Sequence, residues 1–127
     1  MPVPFIAIEK TNPRNPGEPR KYYAHAKSNG AVDLRTLANQ IAAISTLSTP
    51  DVLAALEALL LVIPQHLAEG MIVRLGELGS FSLSVQSVAS DSREEVSARN
   101  ITSNRLRFRP GKLLREKLGK VSYEKKE

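Results

Sequence analysis

Val73–Phe81 reads VRLGELGSF and Arg105–Lys112 reads RLRFRPGK, and these two stretches decide the fold. In both, apolar residues alternate with polar ones in the pattern of strands that bury one face. A first strand is expected from Met71 to Leu75, followed by a glycine turn and a second strand from about Phe81. The third strand, in the second stretch, carries arginines on one face and leads through Pro110-Gly111 into a short helix.

The arginines of the third strand are candidate anion-binding residues. Arg105, Arg107 and Arg109 are spaced by two, so a strand places all three on one face. Guanidinium groups match phosphate oxygens in bidentate fashion. Gly111 and Lys112 open the predicted helix, whose free N–H groups and positive dipole end favour an anion. These residues together are suited to bind the phosphate backbone of a nucleic acid. In the other interpretation, the arginines are only the solvated face of a half-buried strand.

The first thirty residues predict a β-hairpin. Phe5–Ile8 is a short apolar strand, and Lys21–Ala26 is the return strand. Between them, residues 12–19 contain three prolines, a glycine and two asparagines, which is typical of a loop. Ser28-Asn29-Gly30 then ends the hairpin as a turn.

Two helices are expected after the hairpin. Apolar residues at helical spacing predict the first from near Asp33, whose carboxylate can accept free backbone N–H groups. Thr49-Pro50 reads as an N-cap followed by proline at the first helical position. The second helix is expected to run from there to about Glu69, with Gly70 ending it. Pro64 removes one hydrogen bond inside this helix and predicts a kink.

The second helix has no polar face in its middle. Residues 58–63 read ALLLVI, six consecutive apolar residues that cover every side of a helix. A domain of this size rarely buries a helix all round, so the pattern predicts that a second copy of the chain covers it. The alternative is a central helix that is sandwiched within one chain.

Between the second and third strands lies a polar segment. Residues from about Ser87 to Asn104 lack a period, so a long loop or arm is expected there, with three acidic residues, two arginines and no proline. A closing helix is expected from Lys112 to Leu118. Residues 120–127 are expected to form a tail that is frayed from Glu124 onward.

The charge of the chain is basic and unevenly distributed. The 127 residues carry a formal net charge of +5 and have an isoelectric point of about 9.7. Residues 1–30 contribute +3 and residues 105–127 contribute +6, whereas residues 31–70 contribute −3 and residues 71–104 contribute −1. Clustered basic charge of this kind is typical of nucleic-acid binders, and a solvated basic tail is the alternative.

Composition excludes several classes of protein. The chain has no cysteine, which excludes disulfides and thiolate metal sites and fits a reducing cytosol. No window approaches 18 apolar residues, so no membrane-spanning helix is expected, and the N-terminus does not read as a secretory signal. A single domain over residues 1–127 is expected, with a hairpin extension at 1–30, a core at 31–119 and a tail at 120–127.

Two motifs in order carry a resemblance to the bacterial HU and integration host factor family. The family's Gly-x-x-Gly-Ser/Thr-Phe-like stretch is met at residues 76–81, after a helical hairpin that ends at Gly70 and a strand. Its later Phe-x-Pro-Gly-Lys-x-Leu pattern is met at residues 108–114. The resemblance covers about residues 31–119. The N-terminal hairpin resembles an extension that a divergent HU-like branch carries.

This resemblance implies an α+β, HU-like fold with an N-terminal β-hairpin, a helical hairpin, a three-stranded antiparallel sheet with a β-arm and a short C-terminal helix. It implies an intertwined homodimer whose saddle of strands binds double-stranded DNA and whose arms insert a proline into the minor groove. The expected location is the bacterial nucleoid, in the cytoplasm. The expected DNA contacts are Arg74, Arg93, Arg99, Arg105, Arg107, Arg109, Gly111 and Lys112. The expected dimer interface contains Leu56, Leu59, Leu60, Ile63, Phe81 and Phe108.

The arm departs from the family pattern. Because it has no proline at its tip and a net negative charge, it lacks the wedge that kinks DNA and is repelled by phosphates. Low-specificity binding by the saddle with weak bending is therefore the expectation, since none of the basic residues is placed to read bases.

Two other functions compete with this one. An enzyme is disfavoured because His25 and His66 are isolated histidines, and Asp91, Glu94 and Glu95 lie in a predicted loop without a phosphate cradle. No cofactor, metal or small-molecule substrate is expected. The second rival is an HU-shaped dimer that has lost DNA binding and serves as a protein-interaction or assembly module, which the acidic arm and the added hairpin favour.

Overall fold

The computed structural model describes residues 1–126 and has an α+β fold with three helices and two small sheets. Its residues cluster into two compact units. One contains Met1–Asp33 and the residues from Leu118 onward, and the other contains Leu34–Lys117. In chain order the elements are β1 (Val3–Lys10), β2 (Lys21–Ala26), α1 (Leu34–Ala43), α2 (Thr49–Ala68), β3 (Val73–Arg74), β4 (Gly79–Ser87), β5 (Ile101–Pro110), α3 (Lys112–Leu118) and β6 (Tyr123–Lys125).

The first unit is a three-stranded sheet in the order β2-β1-β6. The predicted hairpin is confirmed: β1 and β2 pair antiparallel, with Phe5 opposite Ala26 and Lys10 opposite Lys21. The expectation that the chain is frayed from Glu124 onward is wrong for residues 124–126, because β6 pairs parallel to β1 and the Lys126 amide donates to the Phe5 carbonyl. Glu127 lies outside the described residues. The pairing of β6 with β1 satisfies backbone groups on the free edge of β1, where unpaired N–H and C=O groups would otherwise face water.

The second unit begins with the predicted helical hairpin. The N-cap of α2 is Ser48 and not Thr49, since the Ser48 hydroxyl accepts a hydrogen bond of 3.2 Å from the Asp51 amide. The helix runs without a break past Pro64. Gly70 follows its C-terminus with φ of 82°, a left-handed conformation that glycine adopts at low cost.

A sheet in the order β3-β4-β5 follows the helices. The first of these strands is shorter than expected, Val73–Arg74 in place of Met71–Leu75, because the turn begins directly after it. In that turn the Leu75 amide donates to the Gly79 carbonyl at 2.8 Å, and Gly76 and Gly79 both have positive φ, as predicted.

Gly79 lies where β4 packs closely against Phe108 and Arg109 of β5. A Cβ atom at this position would lie 2.5 Å from the Arg109 carbonyl oxygen and 2.7 Å from Cζ of Phe108. Such separations are shorter than van der Waals contact, and the φ of 146° is itself unfavourable for any other residue.

We expect Gly79→Ala to lower the free energy of unfolding by at least about 2 kcal/mol, because backbone strain and overpacking add at one position. Urea denaturation followed by circular dichroism measures the change. Gly17→Ala is the matched control, since its Cβ would meet nothing closer than the Asn15 side-chain oxygen at 3.9 Å. Equal stability of the two variants would contradict the close approach of β4 and β5.

The arm between β4 and β5 is more ordered than the sequence indicates. Ile101–Asn104, expected within a loop, belong to β5 and pair with the end of β4 across an irregularity at Gln86/Ser87. Residues 88–100 form a lobe with two 3₁₀ turns, Arg93–Glu95 and Ala98–Asn100. Asn100 holds the lobe together.

Asn100 is 9% exposed and uses both ends of its amide. Its Nδ2 donates to the Val88 carbonyl at 2.9 Å and to the Ser90 hydroxyl at 2.7 Å, and its Oδ1 accepts from the Ser97 amide at 2.9 Å. These bonds connect three separate points of the segment, which gives a polar sequence without a period a defined fold.

A single chain buries very little apolar surface. Among the described residues, the buried apolar side chains are Ala38, Val52 and Leu67. The middle of α2 is open to solvent, with Leu60 75% and Leu61 70% exposed. By length and composition α2 is also apolar enough to cross a membrane, which the length of its uninterrupted apolar run did not indicate. One such helix is a weak indication, because core helices of water-soluble proteins pass the same test.

Candidate nucleic-acid interface

The sheet of the second unit has two chemically different faces. On one face, Ser80 lies opposite Arg109, Ser82 opposite Arg107 and Ser84 opposite Arg105. Arg74 extends this row, since it pairs with the other side of Ser80. The name Arg–Ser face is used below for these four arginines and three serines.

The opposite face of the same strands is apolar. Phe81 lies between Val73 and Phe108, and Leu83 lies opposite Leu106. The two phenylalanine rings have their centroids 5.0 Å apart and are tilted by 47°, a favourable aromatic arrangement. The period of two in β4 and β5 therefore separates a basic face from an apolar one, as predicted from the sequence.

The arginines of β5 are not neutralised by carboxylates. Within residues 1–126, Arg105, Arg107 and Arg109 form no ion pair. Arg107 Nε donates to the Ser84 hydroxyl at 3.0 Å, a bond that orients the guanidinium and leaves its other donors available. Small serine side chains opposite the arginines leave space above the strand for a ligand that carries several negative charges.

A cavity of about 320 Å³ lies at the end of the Arg–Ser face where β4 begins. It brings together Arg74, Arg109 and Lys112, three of the residues expected to bind DNA, and adds Arg115. Sequence reasoning missed Arg115. The spacing to Lys112 could have predicted it, because residues three apart on a helix share a face and Arg115 follows Lys112 by three.

Two backbone amides at the start of α3 are already hydrogen-bonded within the chain. The Gly111 amide donates to the Leu78 carbonyl at 3.0 Å, and the Leu113 amide donates to a Glu77 carboxylate oxygen at 3.3 Å. A carboxylate of the protein itself thus occupies this positive end. Gly111 has a different role: a Cβ there would collide with the Glu77 backbone, so glycine allows the turn and α3 to pack together.

The arm arginines lie apart from the cationic cavity. Arg93 and Arg99 belong to the two 3₁₀ turns, beyond the Ser87/Ile101 end of the β4–β5 ladder, whereas the cavity lies at its Gly79/Pro110 end. Their own neighbourhood includes the exposed acids Asp91, Glu94 and Glu95. The structure therefore assembles Arg74, Arg105, Arg107, Arg109 and Lys112 on one sheet and its adjoining helix, and leaves the two arm residues in a mixed-charge lobe.

The residues expected at a dimer interface lie in two apolar surfaces. On α2, Leu59 and Leu60 are exposed, and Leu56 and Ile63 are partly exposed. On the apolar face of the sheet, Phe81 is partly exposed and Phe108 is 45% exposed. In one chain these side chains remain in contact with water.

The two histidines do not form part of a cluster. His25 lies in β2 of the first unit and His66 in the last turn of α2, and both are exposed. Residues 1–126 contain no group of three or more acidic or histidine side chains arranged to hold a metal ion.

Comparisons with known proteins agree with the fold. Residues 1–125 match the family model HU-HIG, described as an HU domain fused to wHTH, Ig, or Glycine-rich motif. The chain is also similar to a crystal structure from Bacteroides vulgatus ATCC 8482, described as a "Putative bacterial DNA binding protein", with a TM-score of 0.65 and 14% sequence identity. The similarity covers 97% of this chain and 48% of that one, so this chain spans about half the neighbour's length. A search of curated proteins finds no match.

Proposed function

The chain belongs to the HU-HIG family, and we propose that it binds double-stranded DNA with low sequence specificity through the Arg–Ser face of a homodimer. The observation that carries this proposal is the cross-strand alternation of arginine and serine without any intervening carboxylate. A surface of this kind is complementary to a polyanion with regularly spaced charges.

The proposed contacts are to phosphates. Arg74, Arg105, Arg107 and Arg109 supply planar donors that match phosphate oxygens in pairs, and Lys112 and Arg115 supply charge beside the cavity. The serine hydroxyls opposite the arginines are additional donors. Contacts to phosphates position a protein on DNA but carry no sequence information directly, so we expect little preference among duplexes of different sequence.

A homodimer follows from the apolar surfaces that one chain leaves in water. Within residues 1–126, the buried hydrophobic core of Ala38, Val52 and Leu67 is very small for a chain of this length. The exposed middle of α2 and the apolar face of the sheet would both gain free energy from burial, at about 25 cal/mol for each square ångström. A second copy of the chain satisfies both surfaces and doubles the number of arginines available to one duplex.

We propose that the protein bends DNA only weakly, because of the composition of its arm. Its lobe carries three acids and two arginines, and it contains no proline that could enter a base step. A folded lobe of this charge is a poor clamp for the minor groove. The binding energy would therefore come from the sheet. The DNA that we propose as the partner is the chromosomal DNA of a bacterial cell, in the cytoplasmic nucleoid.

The test is a fluorescence anisotropy titration of a random-sequence duplex of about 30 base pairs at several salt concentrations. We expect sub-micromolar affinity at low salt, with log K falling linearly against log salt by about 0.9 for each phosphate contact. Duplexes of different sequence should bind with similar affinity. Absence of binding at low salt would overturn the proposal.

An HU-shaped assembly module is the second candidate, and the arm lobe favours it. A cavity of about 620 Å³ on the lobe is lined by aliphatic side chains, among them Val85, Val88, Val96 and Ile101. Each of these is about half exposed, which is characteristic of surfaces that bind other proteins. A stable dimer with no affinity for duplex DNA at any salt concentration would support this function instead.

A further inference from the structure

The N-terminal hairpin contains a cavity that duplex binding by the Arg–Ser face does not use. It has a volume of about 490 Å³ and lies where β1 and β2 meet the 11–20 loop. Its lining includes Lys10, Lys21 and Tyr23, together with polar groups of the loop. The volume is within the range of about 300–1,000 Å³ that is usual for small-ligand sites in proteins.

Two lysines face each other at this cavity. Lys10 and Lys21 are directly opposite in the β1–β2 register. Like charges in this position repel and destabilise a pair of strands. The residues that precede the two lysines have opposite charges and attract each other. Glu9 and Arg20 form an ion pair at 3.8 Å on the same hairpin. In the described part of the chain, Lys10 and Lys21 form no ion pair with a carboxylate, so an anionic ligand would relieve their repulsion.

The cavity lining also contains a carboxylate, that of Glu18, which is hydrogen-bonded to other residues of the loop. Glu18 accepts a hydrogen bond of 2.9 Å from the Asn15 side chain and one of 3.4 Å from the Asn12 side chain. These bonds hold Glu18 within its own loop. The two amides restrain the Glu18 carboxylate, which forms no ion pair with Lys10 or Lys21 within residues 1–126.

Tyr23 provides an aromatic surface in the same cavity. Its side chain is half exposed, and the Lys10 Nζ lies over one face of its ring, 5.9 Å from the centroid. A cationic group beside an exposed aromatic ring is the combination with which proteins bind unpaired nucleotides, because the base stacks on the ring and the cation meets the phosphate.

We propose that this cavity binds single-stranded nucleic acid, with a phosphate between Lys10 and Lys21 and an unpaired base stacked on Tyr23. A duplex cannot use the ring in this way, because its bases are already stacked on each other. The proposal concerns different residues from the duplex-binding surface and stands whether or not that surface binds DNA.

The test uses the full-length chain with Arg105, Arg107 and Arg109 all replaced by alanine, so that binding at the Arg–Ser face is weakened. The probe is fluorescein-labelled oligothymidylate of ten nucleotides, titrated at low salt and followed by anisotropy. We expect binding to persist in this background and a duplex of the same length to compete poorly. Tyr23→Ala should lower the affinity about tenfold or more, and Tyr23→Phe should retain it within about twofold.

Tyr22→Ala is the matched control. Tyr22 is the residue before Tyr23 in β2 and is also exposed. Its side chain lies on the other face of the strand from Tyr23, and its cross-strand partner is Glu9. It should leave the affinity unchanged. Lys21→Gln should weaken binding and lower the salt slope by about 0.7. Circular dichroism melts verify that each variant is folded.

Three results would overturn the proposal. The first is loss of oligothymidylate binding in the triple-arginine background, which would place single-strand binding on the Arg–Ser face. The second is equal loss with Tyr22→Ala and Tyr23→Ala. The third is competition by the duplex as effective as that by the unlabelled single strand, which would indicate charge attraction without stacking.

Discussion

Replacing Arg105, Arg107 and Arg109 together with alanine is expected to lower the affinity for a duplex of about 30 base pairs at least 100-fold at low salt. A dimer loses six cationic side chains in this variant. At about 0.5 kcal/mol for each exposed ionic contact, the loss totals about 3 kcal/mol, which corresponds to about two powers of ten. The salt slope should fall as well, by about 0.9 for each phosphate contact removed.

The fold of this variant should survive. The three side chains are exposed and form no ion pairs within the described residues, so truncation removes little packing. The matched control removes the same charge elsewhere: Arg14, Lys27 and Lys120, all exposed and all in the first unit, are replaced by alanine. An equal loss of affinity in both variants would show that only net charge attracts the DNA, and would remove the assignment of the site to the Arg–Ser face.

Leu60→Glu is expected to abolish the dimer. Leu60 is 75% exposed in one chain and lies in the uninterrupted apolar part of α2. In a dimer that covers this helix, the variant would bury two carboxylates, each at a cost of several kcal/mol. Light scattering coupled to size exclusion should change from twice the 13.9 kDa chain mass to the mass of one chain, and the thermal transition should broaden or disappear because the separate chain has almost no core.

Gln65→Glu is the control on the same helix. Gln65 is exposed and already polar, so the added charge should leave the dimer intact. A wild-type chain that remains monomeric at micromolar concentration, or a Leu60→Glu variant that remains dimeric, would contradict the proposed interface. Partition of the wild-type chain into lipid vesicles, in place of dimerisation, would assign the apolar helix to a membrane.

The alternation of residues was sufficient to predict the sheet. Apolar residues alternate with polar ones from Phe81 to Val85 in β4 and from Leu106 to Phe108 in β5, a pattern that predicts strands with one buried face. The helix α3 has the predicted bounds, Lys112–Leu118, because proline and glycine precede it and glycine follows it. These elements are determined by neighbouring residues, which a single sequence displays.

Features that depend on distant residues could not be predicted in this way. The strand β6 has no apolar period, and it forms because β1 offers a free edge more than a hundred positions earlier in the chain. The arm lobe depends on one asparagine whose amide reaches Val88 and Ser90, and nothing in the composition of the segment marks Asn100 as different from other polar residues. The use of the α3 amides by Leu78 and Glu77 likewise depends on how the turn packs.

The candidate site was predicted in part. The sequence identified the arginines of β5 because their spacing fixes their face, and it associated Arg74 and Lys112 with them through the family motifs. It did not indicate that Ser80, Ser82 and Ser84 would lie opposite the arginines, since the register of β4 and β5 depends on the fold of the lobe that joins them. Arg115 was missed because a residue on α3 enters the cavity only when that helix packs beside Gly79.

The parallel pairing of β6 with β1 determines when the hairpin sheet can be completed during synthesis. Val3 pairs with Tyr123, about 120 residues later, so one edge of β1 has no partner until the last strand has left the ribosome. An unpaired edge of an apolar strand is a template for pairing with other chains. The nascent hairpin is therefore open to association with neighbouring nascent chains while residues 27–122 are synthesised, and a chain truncated before residue 123 should aggregate more readily than the 127-residue chain.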